Sequence, residues 1–304
     1  MLAVFLSFSL SAVVQLSVKG NKIVGPTGTP VVSHGVSLFW HNWAGIPYTA
    51  ATVTSAASCL GAKVIRAAIG VEPDGDGIAA QAGYLTNPQL ALTSTYAVVD
   101  GAVAEGIYVI IDWHQHQINL NAAKEYFTTV AKKYTGVPNV IYEVYNEPAG
   151  PSWSEVKAYA IEVIKVIRQY DTDNVILVGT PQWDQKPDEA ANSPITGYDN
   201  IAYTLHFYAG SHGQWLRDAG DKLLSAGYPI YVSECGGMNA DGDGGVNTAE
   251  WNNWVSWMAK NDISWATWSL NNKAESASLI TANNRDICSA NALTEWGRIV
   301  KAAI

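Results

Sequence analysis

The chain has 304 residues, 48% of them hydrophobic and 15% charged, so it can bury a sizeable core and is no disordered, collagen-like or coiled-coil polymer. Its 18 Lys+Arg against 27 Asp+Glu give a formal net charge of -9 with no basic stripe, which argues against a nucleic-acid surface. Twelve Trp beside five Phe is more indole than a packed core needs, and flat faces of this kind suit stacking on the C–H face of a sugar ring.

Residues 1–12, MLAVFLSFSLSA, are apolar and end in small residues, like a secretory signal without a basic n-region. They are too few to span a bilayer, which takes about 20 residues, and no other segment is a transmembrane candidate. Leu16 to His34 predicts a β-hairpin turning at Gly25-Pro26-Thr27-Gly28. Eight short hydrophobic runs follow, at Gly35–Leu38, Val64–Ile69, Tyr108–Asp112, Val140–Tyr145, Val175–Gly179, Ala202–Phe207, Ile230–Glu234 and Trp265–Ser269, as expected of parallel strands buried on both faces. Helical patterns alternate with them. The clearest is Ser152–Tyr170, where Val156, Tyr159, Ala160, Val163, Ile164 and Ile167 share a face and Ser152 with Glu155 reads as a capping box. Leu120–Tyr134, Ser211–Ala226 and Asn247–Asn261 are weaker examples. This alternation predicts an α/β protein: one catalytic (β/α)8 TIM-barrel domain over 13–304 with an N-terminal hairpin. An open doubly wound sheet is the alternative, but it usually brings a Gly-rich loop after its first strand, and here Phe39-Trp40-His41-Asn42-Trp43 follows. Cys59, Cys235 and Cys288 allow at most one disulfide within the chain, and the sequence does not say which. No Cys-x-x-Cys pair points to structural zinc.

Barrel chemistry collects at the C-terminal ends of strands. Polar and aromatic residues leave those ends here: Asp112-Trp113-His114-Gln115-His116, Tyr145-Asn146-Glu147-Pro148, His206-Phe207-Tyr208, Ser233-Glu234-Cys235-Gly236 and Trp268-Ser269-Leu270. Glu147 and Glu234 leave the fourth and seventh strands and can face one cleft. Two carboxylates flanking a bond are what glycoside hydrolysis uses: one protonates the leaving oxygen, the other attacks the anomeric carbon or activates water. Burial and a neighbouring carboxylate predict a raised pKa for Glu147, as an acid needs. Arg66, inside the apolar run VIRAAI, needs a buried anion; pairing with Glu234 would keep that carboxylate ionised, and Tyr208 can donate a hydrogen bond to it. Asn146 can hold a sugar hydroxyl.

His114-x-His116 with His206 also admits a metal site. The plainer reading has His114 and His206 hydrogen-bonding sugar hydroxyls and the acid, with His116 a loop residue. Trp40 and Trp268 at the mouth are stacking candidates. Trp251, Trp254 and Trp257, three residues apart, predict a buried helix face. The Asp-Gly pairs at 74–77 and 241–244 read as turns and lack calcium-loop spacing.

Taken together, Ser37-Leu38-Phe39-Trp40, Val64-Ile65-Arg66-Ala67-Ala68, Tyr108 to His114, Tyr145-Asn146-Glu147-Pro148, His206-Phe207-Tyr208-Ala209, Val232-Ser233-Glu234 and Trp268-Ser269-Leu270 through Lys273-Ala274-Glu275 resemble glycoside hydrolase family 5, in particular the secreted β-1,4-endoglucanases of bacteria and plant-parasitic nematodes. The resemblance implies a retaining hydrolase of cellulose or related β-glucans, with Glu147 as acid/base and Glu234 as nucleophile. Arg66, His114, Asn146, His206 and Tyr208 would support them. Trp268 would floor the site, Trp40 would stack a glucose on the non-reducing side, and Lys273 and Glu275 would bind its hydroxyls. It implies a secreted monomer whose partner is a polysaccharide, with no metal or organic cofactor. Mannan or xylan hydrolysis by the same catalytic set, and a catalytically weak carbohydrate-binding protein, are the alternatives. Two residues depart from the family's habit: Cys235, where an aromatic is usual, and Gln115, where a small or acidic residue is commoner.

Overall fold

The computed structural model describes residues 13–43, 45–72 and 82–304. The signal-like residues 1–12 and the turn expected at 74–77 lie outside them. Strands β1 (Ser17–Lys19) and β2 (Lys22–Val24) form the expected hairpin, but it turns at Gly20-Asn21, where Gly20 takes a φ of 59°. A two-residue loop with a residue at positive φ matches the strand twist. The Gly25–Gly28 segment makes a second reversal, carrying the isolated bridge from Val24 to Pro30.

Eight parallel positions follow: β3 (His34–Leu38), β4 (Val64–Gly70), β5 (Tyr108–His114), β6 (Val140–Glu143), β7 (Ile176–Val178), β8 (Ile201–Thr204) with its continuation β9 (Phe207–Tyr208), β10 (Ile230–Gly236) and β11 (Trp265–Leu270). The neighbour order β11-β3-β4-β5-β6-β7-β8-β10-β9, with β10 also paired to β11, closes a ring. The closure makes this a (β/α)8 barrel and removes the open-sheet alternative, which would leave two edges. Helices alternate with the strands; that at Trp153–Ile167 carries the expected capping box between Ser152 and Glu155. Trp251, Trp254 and Trp257 are buried on the helix Thr248–Lys260, with Trp254 stacked on Phe207 at 3.9 Å. No amphipathic stripe announces the helix Pro88–Glu105, whose start is marked by Asn87 accepting the Leu90 N–H and by Pro88 in the first turn. Cys59 and Cys288 are joined, Cα to Cα 5.0 Å, and Cys235 is a buried free thiol. Among the described residues no helix is long and apolar enough to cross a membrane.

The two-residue period of a strand sorts the barrel's side chains. Val64, Tyr108, Ile110, Ile141, Val175, Leu177, Ala202 and Tyr231 pack together inside, closed below by Leu16 and Ile23 of the hairpin. Their alternates, among them Ile65, Val109, Ile111, Tyr142, Ile176 and Val232, pack outward with the helices. One step further toward the C-terminal end the inward positions become polar: Arg66, Asp112, Glu143 and Ser233, all buried.

Candidate active site

Arg66 is the hub of this polar layer. Its Nε donates to Glu143 Oε2 at 2.7 Å, Nη1 to Glu234 Oε2 at 2.8 Å and Nη2 to Asn146 Oδ1 at 2.6 Å, while Asp112 Oδ2 stands 3.0 Å from Nη2. The expected pairing with Glu234 is present, but it is shared among three carboxyl groups. Strict alternation would turn Glu234 outward with Val232. Between Val232 and Cys235 two residues of β10, Ser233 and Glu234, face one of β11, Ala266, and this bulge re-aims Glu234 into the barrel mouth. There its other oxygen accepts a hydrogen bond from the Tyr208 hydroxyl at 2.7 Å.

Glu147 lies four residues beyond the end of β6, held by its N–H to the Gln115 carbonyl. Its two oxygens face two imidazoles: His206 Nδ1 is 2.9 Å from Oε1, and His116 Nε2 is 3.3 Å from Oε2. His116 is therefore not a bystander of the loop. One donor or acceptor atom each of Glu147, His206 and Glu234 lies within 4.8 Å of the others. The three histidines of the metal reading do not gather as ligands. His114 Nδ1 is taken by Asp112 at 2.6 Å, and both His206 nitrogens are occupied, Nδ1 by Glu147 and Nε2 by Ser233 Oγ at 2.9 Å.

The two glutamates are driven apart in protonation, in the order opposite to the one expected. Burial alone would raise Glu147, but the hydrogen bonds from His116 and His206 overcome it and hold the carboxyl well below the usual range. Burial, then the charge of Glu147, pushes Glu234 up against the pull of Arg66. His206 is raised well above an ordinary histidine, because Asp184, Glu143 and Glu147 outweigh its burial. Proton affinity near Glu147 thus resides on its histidines.

Beside Glu147 opens a cleft of about 230 Å³, lined by Trp183, Gln185, His206, Tyr208, His212 and Ala240. Trp268 lies on the other flank, nearly buried, its ring parallel to His114 at 5.3 Å. Trp40 sets its edge on His114 at 4.3 Å. Gly70 makes room for it, since a Cβ there would come within 2.9 Å of the indole. Lys273 and Glu275 pair with each other at 2.7 Å, and Lys273 reaches to 5.7 Å from the ring of Phe39, which packs on Trp268. The catalytic, supporting and sugar-binding candidates therefore surround one mouth.

The family described as "Cellulase (glycosyl hydrolase family 5)" matches residues 24–274. The chain belongs to this family. It is a hydrolase of the endoglucanase type: it is 44% identical over its whole length to "Endoglucanase Z" of Dickeya dadantii and 35% identical over 95% of its length to an "Endoglucanase" of Clostridium saccharobutylicum. It spans 69% and 65% of those two proteins, so each has further sequence beyond the match. A solved structure from Cytophaga hutchinsonii shares the fold at a TM-score of 0.90 with 43% identity, covering 95% of this chain and 93% of that one. The catalytic domain of Thermobifida fusca endoglucanase Cel5A, in a substituted form complexed with cellotetraose, matches at 0.86 with 30% identity, covering 95% and 96%.

Within this family 5 chain, sequence reasoning passed over Glu143, Asp112, Ser233, Asp184, Trp183 and the contact of His116. Glu143 carried a readable signal: it has the inward parity of Ile141, as Asp112 has that of Ile110. Trp183 and Asp184 had none, because they sit in a turn where Gln182, Trp183 and Asp184 take φ of 56°, 57° and 61° without a glycine to mark it.

Proposed function

We propose that the chain hydrolyses internal β-1,4-glucosidic bonds of cellulose and related β-glucans with retention, through two carboxylates in a double displacement. The observation that carries this is the approach of Glu147 and Glu234 to within 4.8 Å, atom to atom, at the barrel mouth. That approach suits carboxyl groups about 5–5.5 Å apart, as retention uses, and falls short of the roughly 6.5–9.5 Å at which inverting enzymes seat a water with the sugar. Glu234 acts as nucleophile. Arg66 and Tyr208 each donate to one of its oxygens, which favours the carboxylate, and leaves it poorly disposed to donate a proton outward. Glu147 acts as acid and then as base, with a proton supplied by the imidazoles on its two oxygens.

Trp268 and Trp40 would offer the glycone aromatic faces, Lys273 and Glu275 would offer it hydroxyl partners, and Trp183, which lines the cleft with Glu147, would take the leaving chain. Asn146 is fixed by Arg66, which also holds Glu234, and His114 is fixed by Asp112, so both are oriented to serve the site. The Cys59–Cys288 bond supports an oxidising, extracellular setting. The polymer is tested by reducing-sugar release from carboxymethylcellulose, barley β-glucan, mannan and xylan, with Glu234→Ala as control, and the stereochemistry by proton NMR of the first anomer formed. Release from the two glucans as the β-anomer, absent in the variant, is the expected result. Release from mannan or xylan alone, or an α-anomer first, overturns it.

A further inference from the structure

Two carboxyl groups meet one nitrogen in this site. His206 Nδ1 lies 2.9 Å from Glu147 Oε1 and 3.3 Å from Asp184 Oδ2. Asp184 is fully buried at the end of the left-handed turn after β7. Its Oδ1 accepts the Thr180 N–H, and its Oδ2 has no hydrogen bond among the described residues. The far side of the imidazole is committed. Ser233 Oγ donates to Glu143 Oε1 at 2.6 Å, which leaves a lone pair of that oxygen facing His206 Nε2 at 2.9 Å, so Nε2 carries a hydrogen. A neutral His206 would then point a bare Nδ1 lone pair at two carboxylates, with the imidazole and Asp184 both buried. The triangle of Nδ1, Oε1 and Oδ2 therefore retains at least one proton.

We propose that Asp184 is a positioning residue that keeps on the His206–Glu147 pair, into the alkaline range, the proton that Glu147 delivers to the leaving group. The proposal rests on the reading of Glu147 as the acid. In the first step the proton leaves Nδ1 for Oε1 and passes to the glycosidic oxygen. The C1–O bond breaks with its electron pair on that oxygen while Glu234 bonds to C1. In the second step water bonds to C1, Glu234 leaves with its electron pair, and the water's proton returns through Oε1 to Nδ1.

Other charges also face this imidazole: Glu143 at 3.6 Å from Nε2, then Glu234, Asp112 and the titratable His114, while His116 shares Glu147 with it. Against the cost of burial, Asp184 is foremost among the groups that raise His206. Burial pushes Asp184 itself up, against the pull of His206, with Glu147 adding to the rise. The phenol of Tyr145 also senses the Asp184 charge.

The test is Asp184→Asn, which removes the charge and keeps the acceptor for Thr180. Nitrogen-15 NMR of the histidines in the full chain, without substrate, reads the Nδ1 proton directly. It is expected to leave at a pH lower by about one unit or more than in the parent, the usual effect of deleting a close opposite charge. The alkaline limb of kcat/KM on a soluble β-glucan is expected to move with it, roughly a tenfold loss one unit above the new limb. Asp184→Ser is a second neutral variant should the amide fail to fold. An unshifted Nδ1 titration in a folded neutral variant overturns the proposal, as does a loss of rate equal at every pH. Absence of activity from the parent chain would instead defeat the functional reading, with the NMR result still deciding where the proton sits.

Discussion

Glu143 touches no solvent, yet the barrel's polar layer turns on it. Arg66 gives it two hydrogen bonds, at 2.7 and 3.3 Å, and Ser233 a third at 2.6 Å. Glu143→Gln keeps the shape but removes the charge, and the amide NH2 must face either a guanidinium or a hydroxyl that is already donating. Breaking a fully buried pair costs about 3–5 kcal/mol; the Gln carbonyl retains one bond, so the expected loss is about 3 kcal/mol. That corresponds to a fall in Tm of about 5–10 °C for a domain of this size. Burial opposes ionisation of Glu143, but Arg66 reverses it and the carboxyl lies below its ordinary value. A depressed carboxyl contributes stability that is fully present above its unfolded pKa of about 4.3 and is lost as pH falls through the folded value. The gap between parent and variant should therefore be complete at pH 7 and narrow only well below pH 4. Calorimetry at pH 7, 5 and 3 measures it. A drop under about 2 °C at pH 7, or a gap that widens toward acid, would refute the view of Glu143 as the charged partner that holds Arg66.

Three further expectations follow from named contacts. Trp183, 48% exposed beside Glu147, should contribute to polymer binding, so Trp183→Ala raises KM on β-glucan by roughly three- to tenfold, as loss of an aromatic contact allows, while Tm moves little. The Cys59–Cys288 bond closes a separation of 229 residues, and the double substitution to Ser should lower stability in guanidinium titration by about 2–5 kcal/mol; an unchanged midpoint would mean the loop is already constrained in the unfolded chain. Ser152→Ala removes the capping box of the helix Trp153–Ile167 and should cost about 1 kcal/mol, whereas Ser152→Asp should restore most of it.

The barrel was legible because its strands are apolar on both faces and its polar residues stand at strand ends, which is how Glu147, Glu234, Arg66 and Tyr208 could be picked out. What stayed hidden has local causes. Parity along β6 points Glu143 inward with Ile141, but parity along β10 points Glu234 outward with Val232, so no single rule reads both. The bulge that corrects Glu234 depends on register with β11, a partner that alternation within one strand does not report. The turn at Gln182–Asp184 places three residues without glycine at positive φ, and sequence rules assign such positions to glycine or asparagine. His116 read as a loop residue because its partner lies 31 residues on, and that omission reversed the expected protonation of Glu147.

The reversal has a simple electrostatic origin. One guanidinium stands among Asp112, Glu143 and Glu234, and three buried carboxylates around one cation cannot all remain charged. Glu143 takes the Nε side of Arg66 and two hydrogen bonds, so it stays ionised. Burial raises Asp112, which stands opposite His114, and the site gains further positive charge at His206. Glu234 is left with a single guanidinium nitrogen and a phenol, enough to orient a carboxylate but not to pull its pKa below that of an ordinary one. In the proposed role of nucleophile, a carboxylate held in this way keeps its basicity, and bond formation to C1 would benefit from that. An acid whose own carboxyl is low can still deliver a proton if the store sits one hydrogen bond away, as proposed for His206. On the proposed roles the division of labour lies between a carboxyl that touches the substrate and an imidazole that holds the proton, and the second is where substitution at Asp184 should be felt.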